Sequence, residues 1–200
     1  AKMFRRETWR VGESAFAVLL LLIGTSMLDG FYGSYYNLNQ LVFDAFDAPV
    51  SIIGIFFGAS YAVNATAYIA ADFFSSRFGK RNTMLGSMLI EAGLFMILPW
   101  FASNPLCLFG LSMALCFLPE VVYITSENLI QDAIADNLRA TVLSVASLVR
   151  ALFSAMFFSI FGYVLGLYPI QIALGVIGAI AIAITAVVSL KMVGIQVSKN

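Results

Sequence analysis

Of 200 residues, 61% are hydrophobic and only 11% charged, too few charges to cover a water-soluble surface, since soluble domains carry about 25%. The formal net charge is zero and there is no histidine, so nothing points to nucleic acid, and the commonest metal ligand and general base is missing. With a mean hydropathy of +0.93, lipid must be the solvent for much of the chain, and the expected fold class is an all-α polytopic membrane protein.

Residues 1–13 are polar and basic, with Phe4 and Trp9 as apolar anchors, and read as an interfacial segment on the cytoplasmic side. Six apolar runs follow, each near the roughly 20 residues that a bilayer core requires. The first, Ser14 to Tyr36, is too long for the apolar core of a cleaved signal peptide. An outer loop with Asp44, Asp47 and Pro49 leads to the second, Val50 to Phe74, which ends at the basic loop Arg77-Phe78-Gly79-Lys80-Arg81. The third spans Thr83 to Trp100, and Asn104-Pro105 makes an outer turn into the fourth, Leu106 to Ile130. A polar inner loop from Gln131 to Leu138 precedes the fifth, Arg139 to Leu165; the sixth is Ile170 to Leu190, and residues 192–200 form a cytoplasmic tail. No run alternates as a barrel strand would. Cys107 and Cys116, nine apart on one predicted helix, point to different faces and are expected to pack as small apolar residues.

Topology follows from charge. Ten of the eleven Lys and Arg residues (Lys2, Arg5, Arg6, Arg10, Arg77, Lys80, Arg81, Arg139, Lys191 and Lys199) fall on one side of the six-span reading. Basic loops stay in the cytoplasm, so the expectation is a multi-pass protein of the plasma or inner membrane with both termini cytoplasmic.

The eleventh, Arg150, lies inside a span, as do Asp29, Glu91, Glu120 and Glu127. Each would cost about 2.5–3.5 kcal/mol if central and unpaired, so each is either a functional group or part of a structural pair. Spans four and five are expected to be antiparallel neighbours, and Glu120 and Arg150 lie equally far from the loop between them, which predicts an ion pair or shared polar network at mid-membrane. Its functional version has Glu120 exchanging protons or substrate beside Arg150. Glu127, nearer the cytoplasmic end, reads as an interfacial salt bridge. Glu91 has no evident partner. Ser147, Arg150, Ala151 and Ser154 form a small, polar face on span five, suited to close packing or to a wet cavity. Span one carries Thr25, Asp29, Tyr32 and Tyr36; span two carries Ser60, Tyr61, Asn64 and Tyr68. These stripes are expected to face a shared interior, either a water-accessible cavity or tight polar packing.

Two inner loops carry a family resemblance. Arg77-Phe78-Gly79-Lys80-Arg81 resembles the basic loop signature of the major facilitator superfamily, roughly Gly-x-x-x-Asp-Arg-x-Gly-Arg-Lys, with Asp72 and Ser76 standing where glycine and aspartate are expected. Arg139-Ala140-Thr141-Val142-Leu143-Ser144 looks like the start of the penultimate helix in drug-efflux-like members, and Pro119-Glu120 before it fits. The resemblance spans nearly the whole chain and implies the C-terminal six-helix half of a twelve-helix transporter, built of two inverted three-helix repeats. Residues 1–13 would then end the linker from an N-terminal half. It further implies that spans one, two, four and five line a pathway through Asp29, Tyr32, Tyr36, Asn64, Glu120 and Arg150, with spans three and six outside. A cytoplasmic gate would involve Arg77, Gly79, Lys80, Arg81, Glu127 and Arg139, with Arg77 and Arg81 pairing with Glu127 or Asp132.

The function expected is therefore secondary active transport of a small organic solute by alternating access, with proton-coupled efflux as the form the resemblance favours. Two alternatives stay open: a six-helix scaffold or assembly subunit without transport, and a six-helix half-transporter acting as a homodimer. No Gly-x-Gly-Asp signature, no nucleophile with an evident base and no P-loop occurs, so neither enzyme chemistry nor a cofactor is expected. The expected partners are the solute, protons, the lipid bilayer and an N-terminal half.

Overall fold

The computed structural model describes residues 2–134 and 139–193, with side chains described for residues 19, 22–132, 134 and 139–190. The described residues form six α-helices: α1 (Lys2–Ala45), α2 (Val50–Phe78), α3 (Lys80–Phe101), α4 (Pro105–Ala133), α5 (Arg139–Leu167) and α6 (Ile170–Val193). Five of them, α2 to α6, are long and apolar enough to cross a membrane. α1 joins the bundle through buried residues from Leu22 to Phe43, and its helix continues back to Lys2 with no break at residue 13. Phe4, Trp9, the basic side chains of residues 2–10, Lys191, the tail from residue 194 and the loop 135–138 lie outside the described side chains or residues.

Local chemistry sets the helix ends. Gly79 alone joins α2 to α3, at φ +83° and ψ 145°, a backbone region open essentially to glycine. Asn104 caps α4: its side-chain oxygen accepts from the Leu106 and Cys107 amides at 3.0 and 3.3 Å, and Pro105 fills the first helical position, where its missing N–H costs nothing. Pro119 sits inside α4, which continues through it as one helix.

α1 and α4 form the centre. α1 packs on α5, α4 and α6; α4 packs on α3, α2 and α1; α3 packs on α6; and α2 with α3, like α5 with α6, makes lighter contact. Exchanging the first three helices for the last three (α1 for α4, α2 for α5, α3 for α6) returns the same set of pairs.

One expectation changes here. Consecutive spans four and five were expected to be packing neighbours, but α5 rests mainly on α1. Small residues make that approach close. A Cβ on Gly30 would meet Phe153 Cβ and the Ser154 amide nitrogen at 2.7 Å. One turn to either side, the Ser34 hydroxyl donates to the Ser154 carbonyl at 2.8 Å and the Ser26 hydroxyl donates to the Ala146 carbonyl at 3.4 Å. Ser26, Gly30 and Ser34 thus form a small-residue stripe on α1. On α5 itself, Ser147 and Ala151 of the expected packing face stay exposed.

The same contacts fix direction. Ser26 with Ala146 and Ser34 with Ser154 make α1 and α5 parallel. Gly24 against Val188 places the end of α6 near the beginning of α1's packed stretch. Lys80 meets Asp132 at 2.6 Å, joining the α2–α3 turn to the end of α4. Arg77, Lys80, Arg81 and Arg139 therefore gather at one end of the bundle.

Candidate functional site

Arg150 organises a charged cluster across α1, α4 and α5. Its Nε lies 2.5 Å from Asp29 Oδ2, and its Nη2 lies 3.7 Å from Glu127 Oε1. The guanidinium sits over the Tyr123 ring, 4.2 Å from the centroid, a cation–π contact that strengthens away from water. The Nε–H does not point along the line to Asp29, so the contact is an ion pair rather than an in-line hydrogen bond. The Asp29, Glu127 and Arg150 side chains remain 28%, 28% and 25% exposed. Arg150 lies eleven residues into α5, about 16 Å along the helix at 1.5 Å per residue, near the middle of a core about 30 Å thick.

Of the two arrangements expected from equal depth, a Glu120–Arg150 ion pair or a shared polar network, the direct pair is not formed. Arg150 takes Asp29 of α1, because α5 rests mainly on α1, and it reaches Glu127 of α4 at longer range. Glu120 is half-buried and stands within electrostatic reach of both Asp29 and Arg150. Glu127, expected at the interface, is drawn to Arg150. Tyr123 escaped the sequence reading, although it lies three residues after Glu120 and four before Glu127, on the face those two acids share.

The stripes on α1 and α2 meet in part. The Tyr36 hydroxyl and Ser60 hydroxyl are 3.1 Å apart, and the Asn64 amide, once turned so that its nitrogen faces the two acceptors, donates to the Cys116 carbonyl of α4 and the Ser60 carbonyl, each at 3.2 Å. Tyr61 and Tyr68 instead point out of the bundle and are exposed. At about 100° per residue they share one side of α2, turned well away from the Ser60 face.

Tyr32 is not brought to the Arg150 cluster. It is buried, stacked on Phe95 at 5.5 Å, and directed toward α3 and α6. There its hydroxyl neighbours Glu91 and Thr185. Glu91 is fully buried, so it does have a setting, and Thr185 is the member of that group the sequence reading missed; a lone threonine in an apolar helix gives no signal. Beside it, Phe31 holds Tyr32, Phe95, Phe157 and Phe161 edge-on at 4.9 to 5.5 Å, an aromatic core between α1, α3 and α5.

At the basic end, Asp132 is bridged by Lys80, where Arg77 or Arg81 was expected. Lys80 opens α3, which packs directly on α4, whereas the Arg77 guanidinium lies 6.0 Å over the ring of Phe78. Arg81 and Arg139 both have interaction partners. Both cysteines are free; Cys116 is buried as expected, but Cys107 is exposed. Among the described residues no group of His, Cys, Asp and Glu is placed to hold a metal.

Comparison with known proteins gives this chain no relative: no family model, no curated protein and no solved structure matches it.

Proposed function

We propose that this chain is the C-terminal six-helix bundle of a secondary transporter of the major facilitator type, moving a small organic solute by alternating access, with proton-coupled efflux as its direction. The observation that carries this reading is the Asp29–Arg150–Glu127 cluster, charged groups set within the helices and a quarter exposed on a face the chain does not cover. Lipid against such groups is costly, so water or a polar partner surface belongs there. An N-terminal six-helix half would supply the opposite wall of that cavity. The packing supports the same reading: pairs that survive exchange of the first and last three helices are what two inverted three-helix repeats produce. In this reading Asp29, Glu120 and Glu127 are the acids available to protons near Arg150, and the Lys80–Asp132 bridge belongs to a cytoplasmic gate.

A scaffold reading would cover the same cluster with dry protein. Vesicles containing the full-length gene product decide between the two. Under a proton gradient, a panel of lipophilic cations and small organic acids is expected to include a transported member, and Arg150→Ala is expected to abolish its flux. In a background with Cys107 and Cys116 replaced by alanine, Ala151→Cys, next to Arg150 and exposed, is expected to react with a membrane-impermeant thiol reagent. No flux together with an unreactive Ala151→Cys would favour the scaffold.

A further inference from the structure

The register of α3 forces an acid into the driest part of the bundle. Its inward face reads Thr83, Met84, Ser87, Met88, Glu91, Ala92, Phe95 and Leu98, a helical stripe that leaves Leu89 and Ile90 outside. Glu91 is therefore 0% exposed, and neither carboxylate oxygen has a hydrogen-bond partner. Two other helices aim hydroxyls at the same place. Tyr32 of α1 and Thr185 of α6 are both almost completely buried, and both hydroxyls also lack a partner of good geometry, although Tyr32 neighbours Glu91 and Thr185. Buried polar groups are normally satisfied. Here Tyr32 brings its hydroxyl beside both Glu91 and Thr185, yet none of the four oxygens has a hydrogen bond of good geometry.

The charges around the group are lopsided. The titratable groups acting on Glu91 are Tyr32 and Asp29, both from α1; α6 offers only the neutral Thr185 hydroxyl, and no described titratable group reaches Glu91 from α2 or α4. Among the described residues no lysine or arginine balances it. An ionised carboxylate here has neither water nor a counter-charge.

We infer that Glu91, Tyr32 and Thr185 form an internal binding site for one small monovalent cation, a proton or a sodium ion. The donor set selects this chemistry. All four atoms are oxygens, which hard cations take and soft metals do not. One carboxylate with two neutral hydroxyls carries a single negative charge, which one positive charge cancels. A proton on Glu91 can be shared with Tyr32 or Thr185; a sodium ion can accept lone pairs from all three. Asp29, one turn before Tyr32 on α1, is the other acid whose charge reaches Glu91, so by linkage a change of charge at one site is felt at the other. The site lies on the closed side of α1, away from the exposed cluster, and its existence does not depend on the transport reading.

Infrared spectroscopy of the full-length protein in nanodiscs tests the inference, with Glu91→Gln as the reference spectrum. If the ion is a proton, the wild type shows a protonated-carboxyl stretch that shifts in deuterium oxide and is missing in Glu91→Gln. If it is sodium, replacing choline chloride by sodium chloride shifts carboxylate bands in the wild type and leaves Glu91→Gln unchanged. An ionised Glu91 band that ignores sodium overturns the inference. Tyr32→Phe and Thr185→Val keep the carboxyl and each remove one hydroxyl, so they serve even if Glu91→Gln fails to fold. Each is expected to move the Glu91 band, and a band unmoved in both also overturns the site.

Discussion

α1 carries two polar sites that solve the same problem in opposite ways. Toward α4 and α5, Asp29 meets an arginine that also reaches Glu127 and lies over Tyr123, and the group stays about a quarter exposed. Toward α3 and α6, Tyr32 meets an acid with no exposure and, among the described residues, no cation in reach. The two residues are three positions apart, so their side chains leave α1 only about 60° apart in projection. Chemistry in this bundle is thus decided less by depth along a helix than by which neighbour faces it. The open site has its counter-charge built in; the closed one must take it from outside.

The largest expected effect breaks the open site. Arg150→Ala leaves Asp29 and Glu127 facing each other without their cation. Removing one partner of a buried pair costs about 3–5 kcal/mol, and partial exposure should bring this to about 2–3 kcal/mol, read as a large fall in thermal midpoint in detergent. Adding Asp29→Asn to Arg150→Ala should recover part of the loss, and a strictly additive double mutant would show that the pair is not coupled.

Next is the packing that holds Asp29 against Arg150. Gly30→Val drives a side chain into Phe153 and the Ser154 backbone. Overpacking of this kind costs about 1–3 kcal/mol and should separate α1 from α5, weakening the ion pair without touching a charge. A crosslinking pair across Ser26 and Ala146 should lose efficiency in the same variant.

The sharpest contrast comes from one chemical change made at both sites. Asp29→Asn removes a charge that Arg150 needs, with an expected loss of about 1–2 kcal/mol, above the value of a surface ion pair because this one is mostly buried. Glu91→Gln replaces an acid that has no protein counter-charge, and without added sodium its stability should stay within about 0.5 kcal/mol of wild type. Equal losses in thermal midpoint would erase the distinction between the two sites. The smallest effect belongs to Lys80→Ala. Lys80 and Asp132 are substantially exposed, and surface bridges contribute about 0–1 kcal/mol. A fall of a degree or two, vanishing at high salt, is expected.

Much of this was legible in one dimension. Apolar run lengths located every helix start from α2 onward to within a few residues, because crossing a bilayer demands length and uninterrupted apolarity, and both are local properties. Asn104-Pro105 marked a turn for a local reason too, a side-chain cap followed by a residue without an N–H. Arg150 stood out as a charge inside a span, and it does organise the cluster. Its partners did not stand out. The choice of Glu120 assumed that helices joined by a short loop lie side by side, and Ser26, Gly30 and Ser34 instead draw α5 onto α1.

Composition and spacing along one chain fix that it folds into membrane-length helices, where most of its turns fall, and which residues are too polar for lipid. Who meets whom emerges in three dimensions. Asp29 joined Arg150, Lys80 took Asp132, and Tyr32 stood with Glu91 and Thr185 rather than at the Arg150 cluster. Those pairings depend on the rotation and neighbour of each helix, set by close contacts between residues far apart in the chain.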